Sequence, residues 1–234
     1  MRAVPYILVG LFVGLLPLLR SAPVGAGGSG AIEGVVKLTG DPPKRAVINM
    51  GSDSACSKGS KDESVIVGAG GGLKDVHVRI KSGEVGTHKA PTKPVVIEQV
   101  GCMYRPRMSG AIKGQEVHIV NGDSTMHNVH AYKGVKQRTA FNRAQPANAK
   151  PIMTKKLGKA GTTFTLKCDV HKWMAAFVPI TDHPFFDVTS DDGAFSIKGV
   201  PTGKSYTLEA WHPVYGLKTQ TVKAGDSNVE LVFP

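Results

Sequence analysis

Beyond its N-terminus the 234-residue chain has no stretch in which apolar residues recur every 3.6 positions, which excludes a helical bundle. It has only three cysteines, an odd number, so in an oxidising compartment pairing leaves one over. Its eight histidines include no His-x-His pair, which weighs against an oxidase or reductase built on histidine-rich metal clusters. Aromatics are 6% of residues and are not interleaved with the basic ones, so the net charge of +11 does not point to nucleic acid. Most unevenly, there is no Asp or Glu between Ser124 and Cys168, where nine Lys and Arg occur.

What is present is β-rich. Short alternating runs are separated by Gly, Pro, Asn and Asp turns, the pattern of an all-β sandwich class. Residues 1–26 read as a targeting segment, with Arg2 before an apolar run from Ala3 to Leu19 and small residues at Val24-Gly25-Ala26. Cleavage there implies export to the periplasm or beyond. The rival is an uncleaved anchor, and membrane association is expected only in that case; about 17 apolar residues is the low end for a span. Residues 31–94 form an N-terminal β segment, with AIEGVVKL alternating and Gly68–Gly72 reading as a flexible hinge. In LKDVHVRIKSG, Val76, Val78 and Ile80 share one face, which puts His77 on the solvent side. Residues 133–160 interrupt the strand pattern, and a second β pattern fills 186–234.

The chemistry concentrates in residues 162–180, TTFTLKCDVHKWMAAFVPI. Phe164, Leu166 and Cys168 fall on one face of a strand that ends at the cysteine. Cys168-x-x-His171-x-x-Met174 then gathers a thiolate, an imidazole and a thioether. Copper electron-transfer sites use a thiolate and two imidazoles with a weak axial thioether, so one imidazole is missing. VHIVNGDSTMHNVHAY supplies it as His127, at the start of an extended run. His130 points to the opposite face from His127 and stays out of the ligand set, although it could serve another site. His183 and His212 precede prolines in turns and read as structural or surface residues. Cys56 and Cys102 have no His or Cys at ligand spacing, so they are paired as a disulfide.

Asn121-x-Asp123-x-x-x-His127-Asn128-Val129, followed by Cys168-x-x-His171-x-x-Met174, resembles the cupredoxins, with a short, amicyanin-like ligand loop. The resemblance covers roughly residues 95–181. It implies a Greek-key β-sandwich holding one type 1 copper at His127, Cys168, His171 and Met174, with Asn128 tying the two ligand loops together. It also implies an exposed edge of His171 as the electron port. The string D-G-x-F-x-I-x-x-V-P-x-G-x-x-Y-x-L over 192–208 resembles the carboxypeptidase regulatory-like domain, a transthyretin-like sandwich to which residues 31–94 could contribute. Together the two parts look like exported, methylamine-utilisation-like bacterial proteins.

The expected function is transport of single electrons between redox partners, without enzymatic activity. The alternative is a copper carrier or storage module that does not cycle. The basic run, with Lys133, Lys136, Lys155 and Lys156, is either a solvated loop or a docking face for an acidic redox partner.

Overall fold

The computed structural model describes Met1 and residues 28–56 and 59–234. The expected targeting segment therefore lies outside the described residues except for Met1. Alternation along short runs gives sixteen strands among the described residues and one short 3-10 turn at Ala69–Gly71. The chain is all-β, as its turn chemistry and its lack of helical periodicity require.

The strands form two units. The central one contains β3 (Val95–Val100), β4 (Met103–Arg105), β5 (Ala111–Ile112), β6 (Val117–Asn121) and β7 (His127–Lys133). It continues with β8 (Arg138–Gln145), β9 (Ile152–Thr154), β10 (Thr163–Lys167) and β11 (Ala175–Thr181). They form a five-stranded sheet in the order β5-β11-β10-β7-β8 and a four-stranded sheet in the order β4-β3-β6-β9. Between the sheets lie Ile97, Ile119, Val129, Ala131, Phe164, Leu166 and Val178, all fully buried. Each large side chain of this kind contributes about 1.5–3 kcal/mol.

The terminal unit draws on both ends of the chain: β1 (Ser29–Leu38), β2 (His77–Ile80), β12 (Phe186–Val188), β13 (Ala194–Pro201), β14 (Ser205–His212), β15 (Gly216–Lys223) and β16 (Val229–Phe233). Its sheets run β13-β1-β16 and β12-β2-β14-β15, around Ile32, Val36, Leu73, Val78, Leu208 and Phe233. β1 pairs antiparallel with β13 and parallel with β16.

Four expectations are corrected. Residues 31–94 do not act as one segment. Backbone bonds from Ile48 to Ser60 and from Asp62 to Ala46 close an excursion, which places Met50 and Cys56 in the central core. Gly68–Gly72 is not a hinge: Gly68 and Gly72 press so closely on the carbonyls of Asp191 and Asp192 that a Cβ on either would come within 2.0 Å and 1.9 Å of them. Residues 133–160 contain two strands. β8 pairs with β7 along its length but forms the sheet edge, and its polar RTAFNRAQ sequence suits an edge that stays in water.

The fourth correction is His77, which is buried. β2 lies inside its sheet, paired with β12 and β14, and the face carrying His77 is covered by the central unit. Phe186 stacks on the ring at 5.1 Å, and a Cβ at Gly110 would lie 2.8 Å from Nε2. Neither ring nitrogen has a hydrogen-bond partner. Alternation assigns faces correctly, but it does not reveal that a second unit covers the outer one. His183 and His212 are buried too, His183 receiving the Phe185 N–H at Nδ1 and contacting the Ile80 carbonyl through Nε2.

Burial holds His77 neutral, its pKa pushed down to about 3, and likewise His212, down to about 4. An unfolded histidine titrates near 6.5. As pH falls below 6.5 the unfolded chain therefore binds protons that the folded one refuses. Stability drops by up to about 1.4 kcal/mol per pH unit for each group. Urea unfolding at pH 7 and pH 4.5 should show a smaller acid loss in His77→Phe than in the parent. An identical loss in both would show that His77 is not held neutral by the fold.

Candidate metal centre

Register positions the ligand candidates. β6 ends at Asn121, whose side-chain oxygen accepts the Asp123 N–H while its amide donates to the carbonyls of Thr125 and Gln145. Gln145 in turn accepts from Gln99 and donates to the Ile119 carbonyl. This buried amide network fixes the turn that delivers His127 to the start of β7. β10 lies beside β7 with Lys167 opposite His130, so Cys168, the next residue, arrives beside Asn128. The Asn128 and His171 N–H groups both point at Sγ, each at 3.4 Å. The Asn128 side chain accepts the Asp169 N–H at 2.7 Å and bonds Asn142 through its amide. It thus joins β7, β8 and the loop after Cys168.

Three donor atoms converge. His127 Nδ1 and His171 Nδ1 are 3.0 Å apart, and Cys168 Sγ is 3.8 Å from His171 Nδ1. All three residues are buried, and Cys168 is a free cysteine. Met174, the last residue before β11, is fully buried in the same core, and its N–H donates to the His171 carbonyl.

The outward nitrogens decide what the inner ones can be. His127 Nε2 lies 2.8 Å from Asp123 Oδ2, and His171 Nε2 lies 3.2 Å from Asp53 Oδ2. An ionised carboxylate only accepts, so each Nε2 carries the hydrogen and each Nδ1 presents a lone pair. Two lone pairs facing each other at 3.0 Å beside a sulfur repel unless a cation or a proton lies among them. Donor separations of 3.0 and 3.8 Å suit bond lengths of about 2.0–2.1 Å to nitrogen and about 2.3 Å to sulfur, the values for a borderline metal ion. The donor set fits a copper ion.

Both carboxylates are themselves held. Asp123 accepts the N–H groups of Gly101 and Cys102. Asp53 accepts the Thr125 hydroxyl at 2.6 Å and the Ala55 N–H. The Thr125 bond, foremost, keeps the Asp53 carboxyl below its ordinary range. Burial lowers the pKa of His127 and outweighs the opposing influence of Asp123.

Neither carboxylate was singled out as a site residue from the sequence. Asp123 stood within the Asn-x-Asp-x-x-x-His string, so its spacing was a usable signal. Asp53 had none, since it lies more than seventy positions from His127 in the chain.

The structure corrects the expected electron port. His171 is 1% exposed. The segment around Asp53 covers it, the Cys56–Cys102 disulfide puts Cys56 Sγ 3.7 Å from Nε2, and the Trp173 ring packs 5.2 Å away. Because the two bridging sulfurs are joined, neither is available as a thiolate ligand beside His171. The docking lysines are corrected as well. Lys133 lies six residues along β7 from His127, roughly 20 Å, and Lys136 follows it into the turn. Lys155 and Lys156 follow Thr154, which pairs with Val117 at the end of β6 remote from Asn121. The ligands His127 and Cys168 bracket the basic run in sequence, yet these four residues sit at the other end of the sandwich.

No protein-family model matches the chain, and no curated protein does. Among solved structures it is similar to a purple cupredoxin from Nitrosopumilus maritimus, at 18% identity over 37% of this chain and 99% of that one, with a TM-score of 0.32. It is also similar to amicyanin from Paracoccus versutus, at 22% identity over 44% of this chain and 96% of that one, TM-score 0.32. A third is the copper-containing nitrite reductase of Thermus scotoductus, at 17% identity over 44% of this chain and 26% of that one, TM-score 0.32. At such similarity the functional reading stands on the donor atoms.

Mass spectrometry of the non-reduced, metal-free protein should find one cross-link, Cys56 to Cys102, and one free thiol, Cys168. Replacing both bridging cysteines by Ala should lower stability by about 2–5 kcal/mol in denaturant unfolding. A cross-link that includes Cys168 in fresh protein would contradict the arrangement.

Proposed function

We propose that the chain holds one copper ion at His127, Cys168, His171 and Met174 and carries single electrons between redox partners. The observation that carries this reading is the convergence of Nδ1, Nδ1 and Sγ, with both imidazole tautomers pinned by carboxylates. Copper would supply a one-electron couple at a soft, nitrogen- and sulfur-rich site. The protein's contribution is rigidity and dryness. Asp53 and Asp123 hold the rings in one orientation, so the donor geometry resists rearrangement when the charge changes. The N–H groups of Asn128 and His171 withdraw electron density from Sγ, which raises the reduction potential. Burial of all four residues keeps water from the centre. The reading includes no substrate to transform, and so no enzymatic activity.

Closure also favours electron carriage over the carrier or storage alternative. A module that releases copper needs a ligand that can open, and His171 is held by a carboxylate beneath a disulfide-bonded segment. The disulfide further supports the reading of an exported protein in an oxidising compartment, periplasmic or secreted.

Addition of Cu(II) to purified protein should produce an intense visible thiolate-to-copper charge-transfer band. Cys168→Ser should abolish it, whereas Met174→Leu should keep the colour and raise the potential measured by voltammetry. A colourless Cu(II) complex with Cys168 intact would refute the assignment.

A further inference from the structure

If the His171 edge is closed, electrons need another way out, and one copper-ligand candidate still borders open solvent. Cys168 lines a surface pocket together with Lys167, Asp169 and Lys172. Its thiol is buried, yet its chain neighbours on either side and Lys172 are exposed.

The charge here is uneven in a useful way. The Asp169 carboxylate is turned to the sheet: it accepts from Asn142 at 2.9 Å and contacts His130 Nδ1 at 3.1 Å through both oxygens. His130 is fixed in turn by Thr139 and Tyr132. Asp169 therefore pairs with the sheet rather than with either lysine. Lys167 sits over the Tyr132 ring at 5.7 Å, and Lys172 projects from the ligand loop itself. Two lysines thus line the pocket to which Cys168 contributes, and its one carboxylate is engaged by the sheet.

We propose that this pocket, where Lys167 and Lys172 border Cys168, is where a one-electron acceptor protein docks, and that the acceptor presents carboxylates to it. The inference rests on the copper reading above and adds the place and charge of the partner. One electron leaves through Cys168 and reduces the acceptor by one; no bond or proton changes hands. Tunnelling weakens steeply with distance, so the surface nearest an uncapped ligand serves best. The lysines act chiefly on the association rate, through a field that salt screens over about 8 Å at physiological strength.

The test uses the full-length, copper-loaded, reduced protein and hexacyanochromate(III), a redox-inert paramagnetic trianion. In amide NMR spectra the anion should broaden signals from Lys167 to Lys172 and spare Asn49 to Cys56. The double variant Lys167→Glu, Lys172→Glu should lose the broadening while keeping the visible spectrum of its Cu(II) form. Its oxidation by hexacyanoferrate(III) at low ionic strength should slow at least about tenfold. The single variant Lys172→Glu should fall between parent and double variant. Broadening at Asn49–Cys56 instead, no broadening at 167–172, or an unchanged rate in the double variant would each overturn the proposal. Failure of the copper reading itself would appear separately, as absence of the visible band in the parent protein.

Discussion

The site depends on two imidazole nitrogens held 3.0 Å apart with their lone pairs inward. Left alone, buried histidines would turn a hydrogen toward each other or flip to find other partners. Here each ring is denied that choice by a carboxylate on its far side, and each carboxylate is anchored elsewhere. The repulsion is built in, and a metal cation or a proton relieves it, which is how folding free energy becomes affinity for a bound ion. The amide network of Asn121, Gln145 and Gln99 serves the same end. It spends buried polar groups, all joined to partners through at least one atom, on fixing one turn.

How much of this was legible in the sequence depends on the range of the interaction. Cys168, His171 and Met174 sit within one loop, and the strand period before Cys168 determines which way it faces, so their convergence could be read directly. His127 could be added because its segment carries its own strand and turn signals. The all-β class followed from turn residues and from missing helical periodicity. Asp53 was not legible. Nothing local marks it, and its role exists only because an excursion over 46–62 is pinned by Cys56 to Cys102 across the end of the sandwich. His77 and β8 failed for related reasons. A face that looks solvent-exposed in one sheet can be covered by another unit, and an edge strand needs no apolar alternation to pair.

Among the described residues the apolar cores of the two units form separate clusters. Phe177 on the outer face of β11 meets Trp211 of β14 at 5.8 Å, with Arg107 over the Phe177 ring. Arg79 bonds Glu209 at 2.7 Å and reaches the Ile180 carbonyl. The Arg79–Glu209 ion pair lies within the terminal unit, between β2 and β14, and holds the guanidinium where it crosses to the Ile180 carbonyl of β11.

The terminal unit has a further consequence, for synthesis. β1 has β13 and β16 as its strand neighbours, with Gly30 opposite Val200 and Leu38 opposite Phe233. The central unit is complete once Thr181 has been made, since β3 to β11 and the 46–62 excursion all precede that point. A growing chain therefore finishes the metal-binding sandwich first and holds β1 without a strand partner until β13, and on its other edge β16, emerge. Such an edge is a template for mispairing with another chain. Truncation between Thr181 and Ala194 would leave a finished metal centre tethered to a β1 with neither strand partner, a defect of assembly and not of chemistry.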